Sequence, residues 1–385
     1  MITVFVRFFV LGLFSFGGPA AHIGFFQREF VEKRKWLTSD DFTQAVALCQ
    51  FLPGPASSQL GMYIGYKQAG YLGALGAFVG FTLPSFALLT FIAVMSAQSI
   101  NQEMMAIFIQ AAKLLAVIVV ADALWGMAKK NVNTPPMIAI AAVTAVWVFF
   151  STGLLGQIVP ILFAAVVGFA VTHLGKSSTS LASSSSPLKI SPHKGLLATF
   201  AVLLIGLPLV AELNAGASLF NIFYQAGSFV FGGGHVVLPL LQPMLEGMVA
   251  SDDFLAAYAS AQLVPGPMFT MASYLGTVVM PSSPILGSAI ATIAVFLPGA
   301  LLLFAFLPAW QAIFSHAKLK ASISYVNASV VGLLASAFVS PVISSAVTSI
   351  TDVVVVIVGY LLLKYKNTPV WVLAILLGGY SMIAH

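Results

Sequence analysis

Long apolar runs separated by short polar breaks dominate this chain. Gly70 to Met95, Met104 to Met127, Leu154 to His173, Leu196 to Val210, Ile285 to Leu307 and Ile323 to Ile343 are examples. They approach the roughly 17 to 25 residues with which a helix crosses a bilayer. None shows the two-residue alternation of a lipid-facing strand, so the pattern predicts an all-α integral membrane protein. Two breaks fall where an apolar stretch should continue: "CQFLPGPASSQ" from Cys49 and "AQLVPGPMFTM" from Ala261. Each sets proline, glycine and proline in a row, which ends one helix and starts another.

Composition agrees with the pattern: 59% of residues are hydrophobic, 7% are charged, and the mean hydropathy is +1.02. A net charge of +5 would suggest a nucleic-acid partner in a soluble protein, but here Lys and Arg sit at the ends of apolar runs and report topology instead. Cys49 is the single cysteine, which excludes an intrachain disulfide and a thiolate metal cluster; it reads as a small buried residue. The apolar N-terminus lacks a preceding charged region and a small-residue cleavage site, and is expected to belong to the mature fold. No nucleophile triad, His/Glu metal cluster or phosphate loop is present, so neither enzyme chemistry nor a cofactor is expected.

The breaks belong to an internal repeat. "TSDDFTQAVALCQFLPGP" from Thr38 and "ASDDFLAAYASAQLVPGP" from Ala250 align without a gap at an offset of 212, with Gln50 matched to Gln262. Upstream, "GLFSFGGPAAH" from Gly12 answers "GSFVFGGGH" from Gly227; downstream, "FTLPSF" from Phe81 answers "VFLPGA" from Val295. Three units follow: a first repeat at 1–174, a connecting unit at 175–218 and a second repeat at 219–385. The connecting unit holds a Ser-rich cytoplasmic linker and a linking transmembrane helix.

Charge sets the orientation of the halves. Arg7, Arg28, Lys33, Arg34, Lys35 and Lys67 lie in the first half, whereas no Lys or Arg occurs between Lys194 and Lys318. Basic loops stay cytoplasmic, so the second half is expected to be inverted. With Lys129 and Lys130, Lys318 and Lys320, and Lys364 and Lys366 on the cytoplasmic side, about four crossings follow residue 70 and four follow residue 284. The FGG and Pro-Gly-Pro segments of each half then enter and leave on one side as two re-entrant helical hairpins. FGG segments that cross fully are the alternative, and need one more reversal.

A helix started by Pro-Gly-Pro presents unpaired N–H groups and about half a positive charge, which favours an anion. Candidate substrate ligands in the first half are Pro53, Gly54 and Pro55 with Ala56, Ser57, Ser58 and Gln59 in the first turn. In the second they are Pro265, Gly266 and Pro267 with Met268 and Thr270. Lys113, deep in its apolar run, corresponds to Asn327 at an offset of 214, and the two are expected to complete the site. For Lys113, pairing with Asp122 or Glu103 is the alternative. Gly17 and Gly18 precede His22, and Gly232, Gly233 and Gly234 precede His235; either histidine titrates in a transport cycle or is structural. Asp40, Asp41, Asp252 and Asp253 read as N-caps.

The ordered set "FGGPAAHIGFFQREFVEKRKWL", "ALCQFLPGPASSQLGMYIGY", "AGYLGALGAFVGFTLP", "FGGGHVVLPLL" and "AQLVPGPMFTMASYLG" resembles the chromate ion transporter family in its long two-domain form. The resemblance implies a bacterial inner-membrane carrier that exports chromate, a tetrahedral dianion, confers resistance and draws on the proton gradient. It carries the family motif onto Phe16, Gly17, Gly18, Pro19, His22, Pro53 to Pro55, Gln59, Phe231 to His235 and Pro265 to Pro267, with Gly234 where the first half has Pro19. Sulfate or another oxyanion suits the same donors, and an anion channel is the alternative mode. The expected partners are a small oxyanion and membrane lipid. Paired halves in one chain allow a monomer, with a homodimer also open.

Overall fold

The computed structural model describes residues 1–16, 18–97, 102–151, 153–174, 191–231, 236–309, 317–366 and 368–384, and every regular element among them is helical. Apolar sequence folds this way because lipid cannot satisfy backbone N–H and C=O groups, so each segment must satisfy its own. Helix α1 (Ile2–Phe14) precedes α2 (Gly18–Phe26), which widens into a π-helical turn at Gln27–Lys33. Helix α3 (Ser39–Phe51) runs up to the first Pro-Gly-Pro, and α4 (Ala56–Ala97) leaves it. α4 has two arms, because Ala69 (φ −150°, ψ 32°) and Gly70 (φ 60°, ψ −153°) are not helical. Gly65 and Gly73, which would stand about 12 Å apart along a straight helix, touch so closely that a Cβ on either meets the other's carbonyl. The chain therefore doubles back at this point. α5 (Gln102–Asn131), α6 (Pro135–Phe150) and α7 (Gly153–Leu174) complete the first half, and α8 (Lys194–Val210) follows the linker.

The second half repeats the order of elements. It comprises α9 (Ala215–Phe229), short α10 (Val237–Leu241), α11 (Ser251–Leu263), a 3-10 turn at Met268–Thr270 leading into α12 (Met271–Val279), and α13 (Pro284–Phe306). Helices α14 (Ala317–Ala337), α15 (Ile350–Lys366) and α16 (Val370–Ala384) end it. α3 and α11 are both 13 residues long, and α12 meets α13 through Gly276 and Gly287 as the arms of α4 meet through Gly65 and Gly73. The predicted apolar runs fall on helices, and among the described residues five stretches are long and apolar enough to cross a membrane: Ala56–Ser96, Ile107–Asn131, Lys194–Leu213, Pro284–Ala309 and Ala321–Ala346.

The halves interlock. α5 packs against α15 and α16, while its counterpart α14 packs against α6 and α7; α4 packs against both α12 and α13. One apolar core joins Leu89, Ala93 and Val117 to Phe223, Phe254 and Tyr274 of the second half, and another gathers Phe8, Phe26, Phe30 and Phe81. The aspartates expected as caps stand further in, two and three residues past the cap positions Thr38 and Ala250. Thr38 caps α3, its Oγ1 accepting the Asp41 N–H at 3.1 Å, and α11 opens at Ala250 without a side-chain cap. Asp40, Asp41, Asp252 and Asp253 occupy first turns, where negative charge suits the helix dipole.

Candidate functional site

Each Pro-Gly-Pro break turns on a left-handed glycine, Gly54 at φ 115° and Gly266 at φ 111°, a conformation that side chains disfavour. Both breaks are fastened to the opposite half. The Gly54 N–H donates to Val230 O at 2.8 Å, and the Gly266 N–H donates to Ser15 O at 3.0 Å. Ser15 and Val230 are equivalent positions, each one residue before FGG. The same exchange holds behind the glycines: a Cβ on Gly54 would lie 2.8 Å from the Gly299 Cα, and one on Gly266 would lie 2.7 Å from Ser85 Oγ. Ser85 and Gly299 each follow the proline of the matched "LPS" and "LPG". Each Pro-Gly-Pro break thus meets the residue before FGG and a crossing helix of the opposite half, and the two sets of contacts exchange equivalent positions between the halves.

The first-half break carries more free polar capacity than the second. Gln59 N–H is the first to bond back along α4, to Pro55 O at 2.9 Å, so the N–H groups of Ala56, Ser57 and Ser58 precede the intrahelical ladder. Ser58 Oγ is buried and has no hydrogen-bond partner; Ser15 Oγ, Thr82 Oγ1 and Gln59 Oε1 share that condition. Gln59 itself is held by its Nε2, which donates to Pro53 O and to Gly299 O, both at 3.0 Å. In the second half the hydroxyl-bearing first turn is a 3-10 turn, and the Thr270 hydroxyl donates to Pro267 O at 2.5 Å. That hydroxyl is spent locally, and Gln262 donates from Nε2 to Met268 Sδ at 3.0 Å. Met268 is buried.

His22 is fully buried, edge-on to Phe81 at a centroid distance of 5.2 Å, with Nε2 3.2 Å from Ser15 O. A carbonyl only accepts, so Nε2 carries the proton. Its Nδ1 has no hydrogen-bond partner. His22 and Gly266 therefore share one carbonyl, which ties the α1 end to the opposite Pro-Gly-Pro. Gly18 opens α2; Gly17, Gly232, Gly233, Gly234 and His235 lie outside the described residues.

Lys113 does not stand at the breaks. Its Nζ pairs with Asp252 Oδ1 at the start of α11, at the other end of that helix from Pro265. Of the two partners expected for it, Asp122 pairs with Lys364 at 2.8 Å and Glu103 falls outside the described side chains. Asn327 leaves Oδ1 buried and without a hydrogen-bond partner. Sequence reasoning also missed Ser15, Val230, Ser85 and Gly299, although all four lie inside segments that the repeat aligns.

The match to known proteins covers both halves. A family model described as Chromate transporter fits residues 2–169 and 217–382. The chain belongs to the chromate transporter family. Its five long apolar helices and this membership make it a multi-pass membrane protein. It is 27% identical to the chromate transport protein of Cupriavidus metallidurans, over 95% of this chain and 88% of that one. It is 26% identical to the chromate transport protein of Pseudomonas aeruginosa, over 86% and 78%. An uncharacterized transporter of Methanocaldococcus jannaschii is 26% identical over 98% and 93%. No solved structure matches the chain.

Proposed function

We propose that the protein is a secondary carrier that exports chromate across the inner membrane, driven by the proton gradient, and that the joined Pro-Gly-Pro breaks form its substrate site. The supporting observation is the exchange of Gly54 and Gly266 hydrogen bonds between the halves, which makes the site a property of both repeats at once. Neither α3 nor α11, at 13 residues each, reaches across a hydrocarbon core of about 30 Å at about 1.5 Å per residue. Read as re-entrant, they carry two helix starts into the protein interior, where irregular backbone is tolerated at a wet cavity.

In this reading a tetrahedral dianion docks on the N–H groups of Ala56, Ser57 and Ser58, with the Ser58 hydroxyl as a further donor. The helix dipole supplies positive charge without a buried cation. Names of relatives support chromate as the cargo, and membership in the transporter family supports transport over enzymatic chemistry. Proteoliposomes loaded with labelled chromate test the whole reading. Saturable efflux that an opposing pH gradient changes and that sulfate inhibits weakly is expected. Ohmic, non-saturating current would mark a channel, and sulfate flux exceeding chromate flux would reassign the substrate.

A further inference from the structure

The two halves are matched in sequence but not in exposure, and the difference is concentrated on α3 and α11. In α11 every residue from Phe254 to Ala261 is buried, and the helix packs against α5. In α3 the buried positions are Phe42, Ala45, Leu48 and Cys49, while Asp40, Thr43, Gln44 and Gln50 are exposed. Lipid does not accommodate a face made of a carboxylate, a hydroxyl and two amides. That face therefore borders water, and α11 has no such face.

A polar pair marks the same difference. Lys113 on α5 holds Asp252 on α11. The repeat makes Asn327 on α14 the counterpart of Lys113 and Asp40 on α3 the counterpart of Asp252. Among the described residues α14 has no packing against α3 comparable to that of α5 against α11; Asp252 and Asp40 are both exposed, and of the two only Asp252 has a cation across from it. One of two equivalent contacts is made and the other is open.

We infer that Lys113 and Asp252 are positioning residues that hold one face of the substrate site shut, and that Asn327 and Asp40 close the opposite face in the alternate state of the carrier. The inference rests on the carrier reading above. Inverted repeats reach their second state by exchanging conformations. In that exchange α11 leaves α5 and the Lys113–Asp252 pair separates into water. α3 closes on α14, and the Asn327 amide donates to the Asp40 carboxylate. The two closures differ in strength, because a charge pair opposes an amide–carboxylate contact, and this biases the protein toward the state seen here. α3 begins after the basic segment Arg28 to Lys35, so the open face is cytoplasmic by the charge rule, as suits a carrier awaiting a cytoplasmic anion.

Side-specific thiol labelling tests this in full-length protein with Cys49→Ala as background. Gln44→Cys on α3 and its counterpart Ala256→Cys on α11 report the two faces to a membrane-impermeant maleimide, applied to right-side-out and inverted vesicles. Gln44→Cys is expected to label from the cytoplasmic side and Ala256→Cys to be protected. Lys113→Asn gives the first pair the chemistry of the second, and should raise periplasmic labelling of Ala256→Cys about tenfold and lower that of Gln44→Cys, as a shift of about 1.4 kcal/mol in a two-state equilibrium requires. Asn327→Lys should shift labelling the same way without touching the existing pair, and so guards against a folding defect in Lys113→Asn. Protection of Ala256→Cys that survives in both variants overturns the inference, as does periplasmic labelling of Gln44→Cys in the parent. Chromate flux is read separately: flux without a labelling shift sinks this inference alone, and a labelling shift without saturable flux sinks the carrier reading.

Discussion

At the scale of single residues, the site is set by what cannot be larger. Gly266 combines a φ of 111° with Ser85 Oγ at 2.7 Å from any Cβ, so Gly266→Ala adds two costs, backbone strain of about 1 to 3 kcal/mol and a steric clash. Ser85→Gly should relieve the clash and leave the strain, restoring part of the thermal stability lost by Gly266→Ala in detergent. No recovery in the double variant would mean that Ser85 is not the obstacle. Gln59 offers a second case. Its Nε2 serves two carbonyls, Pro53 O and Gly299 O, and the equivalent second-half position is Met271. Gln59→Met keeps the volume but removes both bonds; Gly299 O keeps its place in the α13 ladder, while Pro53 O loses its Gln59 donor, at about 1 to 3 kcal/mol for a buried unsatisfied group. A clear drop in unfolding temperature is expected, together with weaker chromate inhibition in a transport assay; an unchanged unfolding temperature would remove Gln59 from the framework of the site.

At the scale of elements, the helix pairs that follow each break depend on glycine contacts. Gly65 with Gly73, and Gly276 with Gly287, bring backbone against backbone, whereas a Cβ on Gly206 of α8 meets nothing within 4 Å. Gly65→Leu and Gly276→Leu should each abolish the monodisperse peak in detergent gel filtration, and Gly206→Leu should leave it intact; equal tolerance would show that these pairs are not tightly closed. Much of this layer was legible in sequence, since helix period, repeat offset and the Pro-Gly-Pro breaks are local patterns. What was not legible depends on neighbours far along the chain. Lys113 had several carboxylates within plausible reach, and the packing of α11 on α5 selects Asp252. Thr38 caps α3 in place of Asp40 because the helix starts two residues earlier than a cap at Asp40 implies. The second break lost its free hydroxyl because Pro267 O lies within reach of Thr270 Oγ1, a turn geometry that periodicity does not encode.

At the scale of the molecule, the halves cannot be treated as two domains side by side. Each Pro-Gly-Pro takes its carbonyl partner from the other half, α5 lies against α15 and α16, and α14 lies against α6 and α7. Neither half alone can satisfy its buried backbone or cover its inner helices, and in lipid an unpaired backbone group costs several kcal/mol. All of these contacts are made by residues outside the Ser-rich segment at 175–190. Two chains cut within residues 175–190 should therefore reassemble when co-expressed, co-purify through a tag on one fragment, and restore chromate resistance to a sensitive strain. Either fragment expressed alone should fail to confer resistance and should be degraded. Resistance conferred by one fragment alone would place the complete site within a single half, and the crossed hydrogen bonds at Gly54 and Gly266 would then be packing contacts with no part in transport.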